Sequence, residues 1–402
     1  MDKLLNTKDE PALRRTRLVN FAALSAWLVT STLMAATALI RFGQDFRVYY
    51  AAARLLLKGG NPFDYNQLFP VILQISGKAG NAPYYNPPWL AWFLTPLALL
   101  PYQPARAVWI LLNLVIWCLG LWQLSRLLDW PPAGWQRWSI FLYATFLFAW
   151  VTWRYEQMGI ILFALLVAAL ASLRKSDWAW AGVWLALLLI KPNLTFIPVA
   201  AASLWLLRRG RWQPILSMSL VLTGLLLAST AATPDWYRPL LQPGVGSGLV
   251  NILDGPNHEV AIRINTTLAD WLNMLSLNST IIPIIRWSAT LAAGAILLWV
   301  IFRSNSLIMV MICALLANFA VTPYALQYDY PLLTLPLFWA TARIPSTARA
   351  RWGGLAISVF IASVLIWERP ISDGYWILLG LIALTAWNWR FATSKNTPIS
   401  LF

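Results

Sequence analysis

The sequence predicts an all-α polytopic membrane protein, and three observations carry that prediction. Only 11% of the 402 residues are charged while 59% are hydrophobic, less than half the charged share of an ordinary soluble domain. Twenty-six Trp and thirteen Tyr exceed what a core needs, and amphipathic rings are favoured at the two headgroup levels of a bilayer. Apolar runs approaching the length of a crossing, about 20 residues, recur along the chain.

The surplus of +15 is read through loop asymmetry in so apolar a chain, which excludes a nucleic-acid binder. Cys118 and Cys313 lie within apolar runs, where a thiol behaves as a small hydrophobe, and they imply neither a disulfide framework nor a metal site. One histidine, with no HExxH or Cys/His cluster, gives no reason to expect a bound transition metal or other cofactor.

Twelve apolar runs can be delimited, at residues 18–40, 105–125, 138–153, 158–173, 177–190, 194–207, 213–232, 281–302, 306–322, 328–342, 352–367 and 375–389. The first is too long for a signal-peptide core and is expected to remain a span, so residues 1–402 read as a single integral-membrane domain. Alternate loops then hold 18 basic residues against five acids, beginning with Lys3, Lys8, Arg14, Arg15 and Arg17 and including Arg126, Arg174, Lys175 and Arg208 to Arg211. The opposite set holds 12 basic and ten acidic residues, which predicts a plasma or inner-membrane protein with cytoplasmic N- and C-termini.

This parity holds only if Pro87 to Leu100 lies on the outer surface instead of crossing. The segment from Phe46 to Lys58 is expected to be interfacial too, with Arg47, Arg54 and Lys58 on one helical face. Residues 41–104 thus form a first outer loop with two amphipathic helices, and residues 233–280 form a second.

Ionisable groups bordering apolar runs are functional candidates, because charge at membrane depth is expensive. Asp45, Arg154, Glu156, Gln157, Lys191, Asn193, His258, Asn265, Tyr328 and Asp329 all fall at outer ends of spans or in outer loops, where they could line one outward-facing cavity. Asp45 follows the first span directly and fits either a general base or a solvated loop aspartate. Asn86 precedes Pro87 and Pro88 in a stiff stretch that suits a cavity wall or a plain connector. Arg154 and Lys191 suit an anionic headgroup, and each alone is equally explained by snorkelling to lipid phosphates. Lys191 is the harder to dismiss, since it interrupts two short apolar halves as in a helix pair dipping only partway. His258, in a Gly-rich loop, reads as an ordinary loop histidine or as a proton donor or phosphate ligand.

Taken in order, Gly43-Gln44-Asp45-Phe46 with Tyr49 and Tyr50, Gly60-Asn61-Pro62-Phe63, Tyr85-Asn86-Pro87-Pro88, Glu156-Gln157, Lys191-Pro192 and Thr322-Pro323-Tyr324 leading to Tyr328-Asp329 resemble glycosyltransferase family 87 of the GT-C superfamily. The resemblance covers roughly residues 40–345. It implies a GT-C-like fold and an inverting transfer of a hexose, mannose in characterised members, from a polyprenyl-phosphate donor to a hydroxyl of a lipid or glycan acceptor. It also implies a base carboxylate in the first outer loop, the place of Asp45, with Lys191, Arg154 and His258 left to hold the donor phosphate. Tyr49, Asn86, Glu156, Gln157, Asn193, Asn265, Tyr328 and Asp329 would line the cavity. Such a scheme requires no metal and no cofactor, and its partners besides donor and acceptor are membrane lipids. A polytopic transporter or flippase is the alternative, since twelve spans around a polar cavity also describe carriers. Against it stand the absence of a visible internal repeat and the collection of charges at one face; a silent scaffold for envelope assembly is the third possibility.

Overall fold

A computed structural model describes residues 10–40, 45–76, 83–129, 134–234, 236–237, 280–322 and 325–342, with isolated positions between 267 and 278 and between 378 and 386. The described residues form helices and no β-strand: α1 (Glu10–Ile40), α2 (Asp45–Leu57), α3 (Tyr65–Ser76), α4 (Pro88–Ala98), α5 (Tyr102–Leu127), α6 (Gly134–Ala144), α7 (Trp150–Tyr155), α8 (Gly159–Arg174), α9 (Trp178–Leu188), α10 (Pro192–Arg208), α11 (Gln213–Ala232), α12 (Ile281–Arg303), α13 (Leu307–Val321) and α14 (Thr334–Ala342). Prolines open several of them: Pro88, Pro192 and Pro214 sit in first turns, where the missing N–H would have no intrahelical partner anyway.

Ten of the twelve apolar runs fall on these elements; the run at 352–367 lies outside the described residues, as does about half of that at 375–389. Among the described residues, four helical stretches are long and apolar enough to cross a membrane: Arg14–Ile40, Tyr102–Leu127, Gln213–Ala232 and Ile281–Arg303. The run at 328–342 does not start as an α-helix. Gln327–Leu333 is a 3-10 helix, in keeping with Pro331, which cannot donate to an i−4 carbonyl.

Helix α1 packs on α5, α6 and α7, while α8 lies between α5 and α9. Helices α10, α12 and α13 form a second packed group, and α9 joins α8 to α11. Helices α11 and α12 leave Leu216, Leu220, Leu227, Ile284, Trp287 and Leu291 exposed, which makes their outer faces suited to hydrocarbon.

Between α6 and α7 the chain makes a π-helical turn at Thr145–Ala149. The Thr145 hydroxyl explains how a polar group is buried there. It donates to the Phe141 carbonyl at 2.7 Å and accepts the indole N–H groups of Trp27 at 3.0 Å and Trp117 at 2.8 Å, so α1, α5 and α6 meet at one satisfied oxygen.

Helix α2 is where expectation and structure differ most. It forms where the amphipathic pattern predicts a helix, but Phe46, Val48, Tyr49, Tyr50, Leu55 and the run Ala51 to Ala53 are buried, against α3 and α4. Arg54 does not reach outward as an interfacial cation; its guanidinium donates to the Ala98 carbonyl at 2.7 Å, and the Tyr50 hydroxyl donates to Leu100 at 2.7 Å. Both satisfy carbonyls at the C-terminal end of α4, which a positive charge also favours electrostatically.

Candidate active site

The site is assembled by the turns between helices. Asp45 stands in the first turn of α2, half-buried. Opposite it, α7 closes with the N–H of Gln157 bonded to the Thr152 carbonyl and that of Glu156 to Trp153, both at 3.0 Å. These two bonds form the Schellman arrangement, which needs a left-handed residue at the position of Glu156, and Glu156 has φ 57° and ψ 35°. Glycine fills that position at no steric cost; a glutamate costs about 1 kcal/mol and requires something to hold it.

Arg106, in the first turns of α5, holds it. Its guanidinium pairs with the Glu156 carboxylate and donates to the Ala38 carbonyl at 2.5 Å and to Leu39 at 3.4 Å, at the end of α1. Trp109, one turn further along α5, donates to the Glu156 carbonyl at 3.1 Å. The α7 to α8 turn is therefore pinned to both α1 and α5, and Gln157 is presented to Asp45.

Gln157 is the junction of the network. Its Nε2 donates to Asp45 Oδ2 at 2.6 Å, while its Oε1 accepts from the Tyr49 hydroxyl at 2.7 Å and lies 3.5 Å from the Lys191 ammonium. Two donors on the carbonyl side and one carboxylate on the amide side fix the orientation of the amide. Lys191 is the N-cap residue of α10, 8% exposed, and pairs with Asp329 Oδ1 at 2.5 Å beneath the ring of Tyr328, whose centroid is 5.1 Å away. Asp329 is fully buried in the 3-10 helix, and its second oxygen accepts the Leu326 N–H at 3.0 Å.

The 3-10 segment is seated by two contacts to the opposite wall. Thr152 donates to the Tyr328 carbonyl at 2.8 Å, and the Tyr155 and Tyr328 rings lie 5.6 Å apart. Gly159 opens α8 directly against it: a Cβ there would stand 2.3 Å from the Tyr328 carbonyl oxygen. Only glycine admits this approach.

The structure thus joins Asp45, Tyr49, Gln157, Lys191, Tyr328 and Asp329 in one contiguous network. Glu156 is buried beside it but turned to Arg106. Arg154 is half-buried in the last turn of α7, Asn86 half-buried before Pro87, and Asn193 exposed in the first turn of α10 with its carbonyl bonded by Asn318 at 3.3 Å. His258 and Asn265 lie outside the described residues. Arg106 was not singled out by sequence reasoning, and Arg47 was read only as a charge on one face of an interfacial helix; an arginine within the first turns of an apolar helix was the available signal for Arg106.

Burial raises the Asp45 carboxyl from its ordinary 3.8 to about 6. The bond from Gln157 and the charges of Lys191 and Arg47 oppose that rise, and Asp329 adds to it. Asp45 is thereby an ionised group at neutral pH with a proton affinity close to the working range, the condition general-base catalysis favours.

The model of glycosyltransferase family 87 matches residues 84–323, more than half of the chain. Asp45 and Tyr49 precede the matched stretch, whereas Gln157 and Lys191 lie inside it. No curated protein and no solved structure matches. With the match and the long apolar helices together, the chain belongs to glycosyltransferase family 87 as an integral-membrane glycosyltransferase.

Proposed function

We propose that the protein transfers a hexose, mannose by its family resemblance, from a polyprenyl-phosphate donor to a hydroxyl of a lipid or glycan acceptor on the outer face of the membrane. The observation that carries this reading is the chain Asp45, Gln157, Lys191: a carboxylate with a raised proton affinity, linked through one amide to a buried ammonium.

In this reaction Asp45 takes the proton of the acceptor hydroxyl as its oxygen attacks the anomeric carbon in line with the departing phosphate. Gln157 occupies Oδ2, which directs the acceptor to Oδ1. The departing group needs cations and no acid, because it leaves already anionic. Lys191 has three N–H donors, of which Asp329 and Gln157 engage two, and the third serves a phosphate oxygen. Arg154, with His258 from the second large loop, completes the cationic side. The isoprenoid chain rests against the exposed apolar faces of the helices, which supply affinity while the headgroup sets orientation.

Purified protein supplied with radiolabelled polyprenyl-phosphate mannose and a membrane lipid extract tests this directly. Label moving into a new lipid or glycan is expected. Label carried across a vesicle membrane without a change of chemical form would make the protein a carrier and sink the proposal.

A further inference from the structure

We infer that Arg47 is a phosphate-gripping residue of the donor site, a role that rests on the polyprenyl-phosphate donor proposed above. Three carboxylates crowd this region, and two of them already own a cation: Glu156 is paired with Arg106, and Asp329 with Lys191. Among the described residues Arg47 has no such partner. It sits in the first turn of α2, two residues beyond Asp45, half-buried, with its Nε buried and without a hydrogen-bond partner among the described residues.

A buried guanidinium N–H without an acceptor is costly, and native structures leave few such groups unexplained. Snorkelling of the terminal nitrogens to bulk headgroups would still leave this N–H unsatisfied, because the Nε itself is sequestered. Its position is also electrostatically specific. The charge of Arg47 acts on the carboxyls of Asp45 and Glu156 and on the Tyr102 hydroxyl, so it lies near the base. Asp45 in turn feels Lys191 and Asp329, which places both cations around one carboxylate.

The reaction gives this cation a reason to be there. As the bond between the anomeric carbon and the phosphate oxygen breaks, its electron pair stays on the phosphate, which passes from a singly charged diester to a doubly charged monoester. The new bond forms to the acceptor oxygen, and the acceptor's proton goes to Asp45. A cation that meets the phosphate gains attraction as this charge develops, which lowers the barrier as well as aiding binding. An arginine presents a planar fork to two phosphate oxygens, and Nε is one tine of that fork.

The experiment measures binding of sugar-free polyprenyl phosphate to the full-length protein, and its inhibition of mannose transfer, for wild type, Arg47→Gln and Arg47→Lys, with thermal unfolding recorded for each. Arg47→Gln is expected to weaken polyprenyl phosphate by about 10- to 100-fold, the loss of one charge-assisted contact. Arg47→Lys, which keeps the charge without the fork, should recover part of it. If one variant does not fold, the other still reports. Unchanged affinity in a folded variant, with only the acid limb of the pH profile displaced, would reduce Arg47 to a tuner of Asp45 and overturn the inference. Wild-type protein that binds no polyprenyl phosphate would overturn the donor reading and this inference with it, whereas Asp45→Asn that transfers normally would strike only the assigned base.

Discussion

The side-chain amide of Gln157 donates to Asp45 Oδ2 at 2.6 Å across 112 residues of sequence, while its carbonyl is held by Tyr49 at 2.7 Å. A glutamine is suited to this junction because it offers a donor to the carboxylate and an acceptor to the tyrosine and lysine at once. Gln157→Glu keeps the shape but replaces the donor with a second negative charge. The acid limb of the rate profile should then move up by a unit or more, with transfer at pH 7 falling about 10-fold or further and partly recovering at higher pH. Tyr49→Phe, which removes one of the two donors to the amide carbonyl, should cost less. A pH profile that Gln157→Glu leaves in place would show that the bond does not govern Asp45.

Asp45 itself predicts opposite signs for activity and stability. Transfer needs its ionised form, so with a proton affinity near 6 the rate should fall about tenfold for each pH unit below that value. Stability runs the other way. A carboxyl whose folded value is raised from 3.8 to about 6 binds more protons folded than unfolded, so its contribution is present at low pH and is lost as pH rises through about 6. Asp45→Asn should therefore lower transfer by about 100-fold or more while leaving the melting temperature at pH 7.5 equal or higher. Near-normal transfer by this variant would move the base elsewhere, with Glu156 and Asp329 the remaining acids to test.

The Lys191 to Asp329 pair behaves as a buried ion pair, with Asp329 fully enclosed. Lys191→Met leaves that carboxylate without its cation and should destabilise by about 3–5 kcal/mol, read as a lowered denaturation midpoint. Adding Asp329→Asn should restore much of the loss without restoring transfer. Equal destabilisation by the single and double variants would mean that the pair is energetically uncoupled.

Gly159 tests the seating of the 3-10 helix. The nearest atom to an added Cβ is a backbone oxygen, Tyr328 O at 2.3 Å, and the next are in the Pro331 ring at 3.0 Å, so neither can swing aside as a flexible side chain would. Gly159→Ala should shift the segment carrying Asp329 and lower both thermal stability and transfer, whereas Gly224→Ala, with open space at its Cβ, should change neither. A Gly159→Ala enzyme of wild-type stability and rate would show that this approach is dispensable.

The residues that the structure joins in one network were legible wherever a polar side chain borders or interrupts an apolar run, as Asp45, Gln157, Lys191 and Asp329 do. Their pairing was not. Lys191 and Asp329 stand 138 residues apart, and nothing local records that the N-cap of one helix meets the 3-10 turn before another. Arg106 was hidden for a related reason: at the start of a span it counts as one more basic residue, and its partners belong to α1 and to the turn after α7. The burial of α2 was hidden by Arg54, whose charge reads as a headgroup anchor until the carbonyl end of α4 is known to lie beside it.

The last prediction concerns which side of the membrane the site faces. Helix α5 begins beside it, where the Tyr102 ring stacks on Phe46 at 6.2 Å, and runs 26 residues to Leu127, a distance of about 39 Å at the usual helical rise. At that far end Arg174 donates to the Leu127 carbonyl at 2.7 Å and pairs with Asp129. The separation matches a bilayer with its headgroups, so the site and the Arg174 cluster are expected at opposite faces. By the positive-inside rule the Arg174 end is expected to be cytoplasmic. The α10 to α11 turn, with Arg208 bonded to the Ile301 carbonyl at 2.7 Å beside Arg303, is another basic helix end assigned to that face by the alternation of charge. Gln67 on α3 is exposed in the stretch expected to lie outside, and Arg209 is exposed in the basic turn. In protein with Cys118 and Cys313 replaced by alanine, Gln67→Cys should react with an impermeant thiol reagent on intact cells, and Arg209→Cys only after the membrane is opened. The reverse pattern would turn the site to the cytoplasm, where donors are nucleotide sugars, and would remove the ground for a polyprenyl-phosphate donor.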